Sequence, residues 1–265
     1  MTIPAFGLGT FGLESQLVID SVSHALALGY RFFDTAQFYN NEADIGATIA
    51  NSGVPRRDIF LTTKVWPDNF ERLLPSVQES LDKLGTDYVD LLLIHWPAPK
   101  NGVALANTLG ALMKAKAQGL ATQVGLSNFN IELMQRAMDI MGVANIATNQ
   151  IELSPFLQNR KTAGFAQSQG IHITSYMTLA RGHVMDEPVL QQIAQQHGAT
   201  AAQVALAWGM QLGYSVIPSS TNREHLESNL AARQLRLLDA DMLAIAALER
   251  GERRVNPAAL APVWD

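Results

Sequence analysis

Leu105-Ala-Asn-Thr-Leu-Gly-Ala-Leu-Met-Lys-Ala-Lys-Ala-Gln-Gly-Leu-Ala-Thr-Gln-Val-Gly-Leu126 reads as a helix, a stop and a strand in one stretch. Leu105, Leu109, Leu112 and Ala115 recur at the three- and four-residue intervals that lay an apolar stripe along a helix. Gly119 supplies the left-handed residue that ends such a helix without a Cβ clash. The run over 122–126 has the apolar character of a strand covered on both faces. The same unit recurs along the chain, with Gly29, Gly53, Gly85, Gly142, Gly170 and Gly213 in the place of Gly119. Strands are predicted over 5–8, 31–34, 59–63, 89–94, 122–126, 146–150, 171–175 and 214–217.

Apolar strands alternating with helices, with no linker between them, predict an α/β fold: a closed (β/α)8 TIM barrel forming a single domain over 1–265. A doubly wound dinucleotide-binding sheet fits less well. Gly7-Leu-Gly9 is only a fragment of G-x-G-x-x-G, and no helix opens on it. Val204, Trp208 and Leu212 carry a late helical stripe, and Thr221-Asn-Arg-Glu224 reads as a capping box opening the last barrel helix. Residues 250–265 fall outside the pattern and are expected to form an irregular loop.

Apolar residues make up 48% and charged ones 16%, a balance that supports a large buried core. A net charge of -5 with scattered cations argues against nucleic acid or anionic membrane as partner. The absence of cysteine excludes disulfides, a thiol nucleophile and cysteine-based metal sites. His183 and Glu187 have the spacing of a helical ligand pair but lack a third ligand nearby, so no metal is expected. The start of the chain shows no basic segment followed by an apolar core, and no apolar run reaches ~20 residues. A soluble, cytoplasmic protein is expected.

Barrel active sites lie at the C-terminal ends of the strands. Asp34 ends one predicted strand and Tyr39 follows it; Lys64 and His95 end the next two. A carbonyl that accepts hydride develops negative charge on oxygen and needs a proton donor with electrostatic support. A tyrosine can donate, a neighbouring ammonium favours its phenolate, a carboxylate can hold that lysine, and a histidine can orient the substrate oxygen. Singly, each is as well explained by packing, capping or solvation. Their convergence on successive strand ends favours chemistry.

Gly29-Tyr-Arg-Phe-Phe-Asp-Thr-Ala-Gln-Phe-Tyr-Asn-Asn-Glu-Ala-Asp-Ile-Gly46 closely resembles the signature segment of the aldo-keto reductases. The resemblance continues in order through Thr63-Lys-Val-Trp66, Ile94-His-Trp-Pro97, Gly125-Leu-Ser-Asn-Phe129, Asn149-Gln150 and Ile217-Pro-Ser-Ser220. It implies a nicotinamide-dependent reductase of small ketones, aldehydes and dicarbonyls, acting as a monomer and without metal. The implied catalytic tetrad is Asp34, Tyr39, Lys64 and His95, with Tyr39 as general acid. Ser127, Asn128 and Gln150 would hold the nicotinamide carboxamide, Tyr176 would stack on its ring, and Thr10 and Asp34 would lie beside it. Residues 178–182, Leu179 among them, would cover the pyrophosphate. Ser219, Ser220, Thr221, Arg223, His225 and Asn229 would take the adenosine end, where the loop after the last strand enters a helix.

Two departures bear on the cofactor. Many relatives place lysine where Ser219 stands and arginine where His225 stands, and Arg223 is the cation left to meet a 2′-phosphate. NADPH is expected, with NADH as a weaker alternative. Phe11, Trp66, His95, Trp96 and Trp264 match positions that wall the substrate site. A Schiff-base enzyme using Lys64 is the rival reading, but it leaves the Ser-Asn-Phe and Asn-Gln motifs unexplained. A non-catalytic nucleotide-sensing subunit is the other rival, and the complete tetrad speaks against it.

Overall fold

The computed structural model describes residues 2–265. Strand β1 (Leu8–Gly9) leads to helix α1 (Gln16–Leu28), β2 (Phe32–Asp34) to α2 (Glu42–Asn51), and β3 (Phe60–Val65) to α3 (Leu73–Leu84). The alternation continues with β4 (Val89–Ile94), α4 (Leu105–Ala117), β5 (Ala121–Ser127), α5 (Ile131–Met141), β6 (Thr148–Glu152), α6 (Arg160–Ser168) and β7 (His172–Tyr176). Two helices, α7 (Pro188–His197) and α8 (Ala201–Gln211), precede β8 (Ser215–Val216). Helices α9 (Arg223–Ala231) and α10 (Asp239–Ala246) follow it.

Each strand pairs in parallel with its sequence neighbour, in the order β1 to β8. The ring closes because the chain entering β1 pairs with β8. Phe6 bridges Val216, the Gly7 N–H donates to the Val216 carbonyl at 2.9 Å, and the Val216 N–H donates to Ala5 at 2.9 Å. The strand expected over 5–8 therefore lies between β8 and β2: the Gly7 and Gly9 N–H groups donate to Val216 and Pro218 on the β8 side, while Leu8–Gly9 stand in register with Phe33 and Asp34 of β2. The expected stops hold. Gly29 adopts φ 94° and donates to the Ala25 and Leu26 carbonyls, Gly85 adopts φ 62°, and the other five glycines also have positive φ.

Period-two alternation sorts each strand into two faces. Phe33, Leu61, Leu92 and Ile94 join the core between barrel and helices. Phe32, Phe60, Leu91 and Leu93 pack together inside the barrel with Ile217. Two residues past Phe32 comes Asp34, four past Phe60 comes Lys64, and two past Leu93 comes His95. The same alternation that fills the barrel floor thus carries these polar groups to its C-terminal mouth.

Two local readings are corrected. The cap of α9 is Asn222, whose Oδ1 accepts from the Glu224 and His225 N–H groups at 2.7 and 3.2 Å, and not Thr221. The short carboxamide reaches both orphan donors of the first turn, and the Ser220 hydroxyl accepts the Asn222 N–H at 3.1 Å to set the entry. His183 and Glu187 do not share a helix. Left-handed Arg181 and Gly182 break the turn that carries His183, whereas Glu187 caps α7 and pairs with Arg250. Among the described residues no cluster of three or more His, Asp or Glu side chains could hold a metal ion. Among the described residues no helix is long and apolar enough to cross a membrane.

Residues 250–265 form no helix or strand, as expected. The segment is nevertheless fixed to the barrel mouth. The Ala98 N–H donates to Leu260 at 3.2 Å, Asn130 Nδ2 donates to the Val263 carbonyl at 2.8 Å, and the Asp265 carboxylate accepts from Thr162 Oγ1 at 2.8 Å.

Candidate active site

Lys64 is the centre of the mouth, and its side chain is fully buried. Its ammonium donates to Asp34 Oδ1, to the Thr35 carbonyl at 2.9 Å and to the Tyr39 hydroxyl at 3.3 Å. All three N–H bonds therefore have partners, as a buried ammonium requires. The second Asp34 oxygen accepts from Gln150 Nε2 at 2.8 Å, tying the tetrad to the Ser-Asn/Asn-Gln half of the mouth. Thr10, fully buried, donates its N–H and its hydroxyl to the Asp34 carbonyl, each at 3.0 Å.

Tyr39 is delivered by a single 3-10 turn, Gln37–Tyr39, that ends on left-handed Asn40. Its neighbours hold that turn. Gln37 Oε1 accepts from the Trp66 N–H and from Asn69 at 2.9 Å, while its Nε2 donates to Ser76 and Ser80 on α3. Asn41 donates to the Thr10 and Leu13 carbonyls and accepts from Thr35 Oγ1 at 2.6 Å. Neither was anticipated as a site residue. The amide residues flanking Tyr39 in the signature loop were the available signal, since an amide that becomes buried must satisfy several hydrogen bonds.

His95 follows β4, with its N–H bonded to the Val65 carbonyl at 3.1 Å. Its ring meets Tyr39 edge-on at 5.5 Å and Trp66 at 5.2 Å, and its Nδ1 is buried without a hydrogen-bond partner. Burial, and then the Lys64 charge, pull its pKa well below the usual imidazole value, so the ring is neutral. Burial also lowers the Lys64 ammonium, with the Asp34 carboxylate opposing. Burial, and then Asp34, push the Tyr39 phenol well above its ordinary value. Burial and the Asp34 charge thus keep the phenol protonated at rest.

Ser127, ending β5, stands beside Gln150 of β6 in register and donates to its carbonyl at 2.9 Å. Asn128, left-handed at φ 63°, donates Nδ2 to the His95 carbonyl and to Ser127 Oγ, and accepts the Tyr176 hydroxyl proton at 2.6 Å. Amide donors, amide acceptors and a phenol ring therefore converge beside Lys64, a set that fits a nicotinamide carboxamide. Beyond Tyr176 the chain turns through left-handed Met177, Ala180 and Arg181, with half-buried Leu179 between them. Such non-glycine strain, about 1–3 kcal/mol per residue, persists where a loop shape is functional. Ser219, Thr221, Arg223 and His225 are exposed around the start of α9, Ser220 is half-buried, and Asn229 is buried two turns along the helix.

The predicted wall residues also assemble. Phe11, 49% exposed, meets the Tyr39 ring edge-on at 5.2 Å. Trp96 faces Trp264 of the tail at 6.4 Å, and Arg253 stacks on Trp264 at 3.6 Å. Phe38 was missed: it lies flat on Trp66 at 4.1 Å while 49% exposed. Its position directly before Tyr39 was the signal.

The aldo/keto reductase family model matches residues 5–250. The chain belongs to the aldo/keto reductase family. It is an oxidoreductase acting on small carbonyl compounds, in a family that generally uses NAD(P)H. It is 58% identical over 267 residues to methylglyoxal reductase DkgB of Yersinia pestis and 57% identical to that of Escherichia coli O157:H7, each alignment covering 100% of both chains. A crystal structure provisionally assigned as 2,5-diketo-D-gluconic acid reductase B superposes with TM-score 0.95 at 44% identity, covering 99% of this chain and 94% of the other. The aldose reductase of Schistosoma japonicum superposes with TM-score 0.92 at 31% identity, covering 98% and 93%.

Proposed function

We propose that the enzyme reduces small ketones, aldehydes and dicarbonyls, methylglyoxal and 2,5-diketo-D-gluconate among them, to alcohols with NADPH, and that Tyr39 is the proton donor. The observation that carries this reading is the placement of the buried Lys64 ammonium between the Asp34 carboxylate and the Tyr39 hydroxyl. Bound in the mouth, the cofactor supplies a hydride to the carbonyl carbon. Ser127, Asn128 and Gln150 hold its carboxamide, and Tyr176 flanks its ring. Thr10 and Asp34 complete that pocket. Leu179 and its loop cover the pyrophosphate, while Ser219, Ser220, Thr221, Arg223, His225 and Asn229 take the adenosine end.

The chain's own part is proton transfer at the carbonyl oxygen. Tyr39 rests as a neutral acid. As alkoxide charge develops, its proton moves to that oxygen and the Lys64 ammonium, 3.3 Å away, meets the phenolate left behind. Asp34 fixes Lys64 and offsets its charge in the low-dielectric interior. His95 is neutral with an unpartnered Nδ1, and in the tautomer that carries the proton on Nε2 it donates to the incoming oxygen. Phe11, Trp66, Trp96 and Trp264 exclude water from the reacting centre.

Positioned general acids contribute about 10²–10⁴-fold. Tyr39→Phe should therefore lower kcat by about 10²–10⁴-fold, with NADPH binding measured by fluorescence quenching unchanged. Full turnover by that variant across methylglyoxal, 2,5-diketo-D-gluconate, β-keto esters and aromatic aldehydes would remove Tyr39 from the mechanism. NADH serves less well in this reading, and the enzyme acts as a cytoplasmic monomer, which sedimentation of the purified protein tests.

A further inference from the structure

Glu152 ends β6 in register with Tyr176, and its side chain is 1% exposed. It belongs to no part of the proton-transfer chemistry above. Both of its carboxylate oxygens are engaged by the tail: Oε1 accepts the Arg254 N–H at 2.8 Å and Oε2 the Val255 N–H at 2.9 Å. A carboxylate bridging two consecutive backbone amides is a charge-assisted clamp with one geometry. Around it, Asn159 Nδ2 donates to the Glu152 carbonyl at 2.7 Å, and Asn159 Oδ1 accepts from Arg253 Nη2 at 2.9 Å. Arg253 in turn stacks on Trp264, whose Nε1 donates to Asn256 Oδ1 at 3.0 Å and whose ring faces Trp96 beside His95.

We propose that Glu152 is a positioning residue for the carbonyl substrate, a clamp that fixes the tail so that Trp264 closes against Trp96. The inference rests on the reductase reading of the mouth. The far end of the tail is held by Asn130 and Ile131 at the start of α5 and by Thr162 on α6, its middle by Ala98, and its first residues, 250 and 252, by the Phe156 carbonyl, so the stretch at 254–255 that leads into residues 256–264 needs its own anchor. Glu152 provides it from a barrel strand one residue past Ile151 and two past Gln150, in the rigid part of the mouth. Substrate affinity is therefore set in part by a residue that does not touch substrate.

Glu152→Gln is the test. The amide keeps the shape but offers one acceptor, and its NH2 faces a backbone N–H that has no other partner. The KM for methylglyoxal and for 2,5-diketo-D-gluconate should rise about tenfold, with kcat and the NADPH dissociation constant changed less than twofold. Amide exchange followed by mass spectrometry should speed up over residues 253–265 and stay unchanged over β2–β4. In a Trp264→Ala background the same substitution should change KM less than twofold, because the two residues act through one path. If Glu152→Gln does not fold, Glu152→Asp, which keeps the charge with a shorter reach, should show the same split with a KM rise of about threefold. Unchanged tail exchange would show that no clamp operates. Faster exchange with unchanged KM, or a KM rise that persists in full without Trp264, would also overturn the proposal. If the wild-type enzyme turns over no carbonyl, the reductase reading fails, while the exchange comparison still decides whether the clamp exists.

Discussion

Asp34→Asn is the substitution whose cost the structure fixes best. Asp34 accepts Lys64 on one oxygen and Gln150 on the other, and the ion pair is 2% and 0% exposed on its two sides. An asparagine has one acceptor and turns an NH2 toward either Lys64 or Gln150, both donors. Removing one partner from a buried ion pair costs about 3–5 kcal/mol, and at this burial solvent screening gives no relief. Domains are stable by about 5–15 kcal/mol, so the variant should fold with a sharply lowered urea midpoint. The deficit should shrink as pH rises. The unfolded chain holds the lysine proton up to about pH 10.4, whereas the folded variant sheds it earlier, so raising pH favours the folded state. Adding Lys64→Met removes the stranded charge and should regain most of the stability, while the double variant should have no NADPH-dependent turnover. Urea unfolding followed by circular dichroism at pH 7 and pH 9 measures all three proteins. A single variant within about 1 kcal/mol of wild type, or a double variant as unstable as the single, would refute the reasoning.

His95, held neutral by burial and by Lys64, makes the fold less stable in acid. Below about pH 6.5 the unfolded chain takes up a proton that the folded one refuses, a loss of about 1.4 kcal/mol per pH unit until the folded value is reached. His95→Gln should flatten the stability profile between pH 6.5 and pH 5, and parallel profiles would show that the imidazole is not buried neutral. Arg223→Ala should raise the KM for NADPH about tenfold and leave that for NADH unchanged, as expected for one charge-assisted phosphate contact; equal effects on both would remove Arg223 from the 2′-phosphate. Gly125→Ala should lower stability by about 1–3 kcal/mol, because a Cβ there would lie 2.7 Å from the Thr148 carbonyl and 2.9 Å from Leu93 Cδ2. An unchanged thermal midpoint would mean that β4 and β6 yield more than the packing implies.

The barrel was legible because its signals are local. A stripe such as Leu109, Leu112 and Ala115, a glycine stop and a short apolar run all fit within about twenty residues, and each unit repeats the message. The convergence of Asp34, Tyr39, Lys64 and His95 was legible for the same reason: Asp34, Lys64 and His95 each sit at a strand end that hydrophobicity marks, and Tyr39 lies five residues past one of them. Tertiary structure alone decided which alternating face points inward, that burial holds the proton on Tyr39 at rest, and that Asn222 caps α9. It also decided the path of the tail. The bonds from Glu152 to Arg254 and from Ile131 to Asp265 span 102 and 134 residues of sequence. A buried glutamate and an irregular segment carry no periodicity that could announce such a contact. Only closure of the barrel brings the end of β6 beneath residues 254 and 255, where two unpaired amides meet a carboxylate with nowhere else to place its charge.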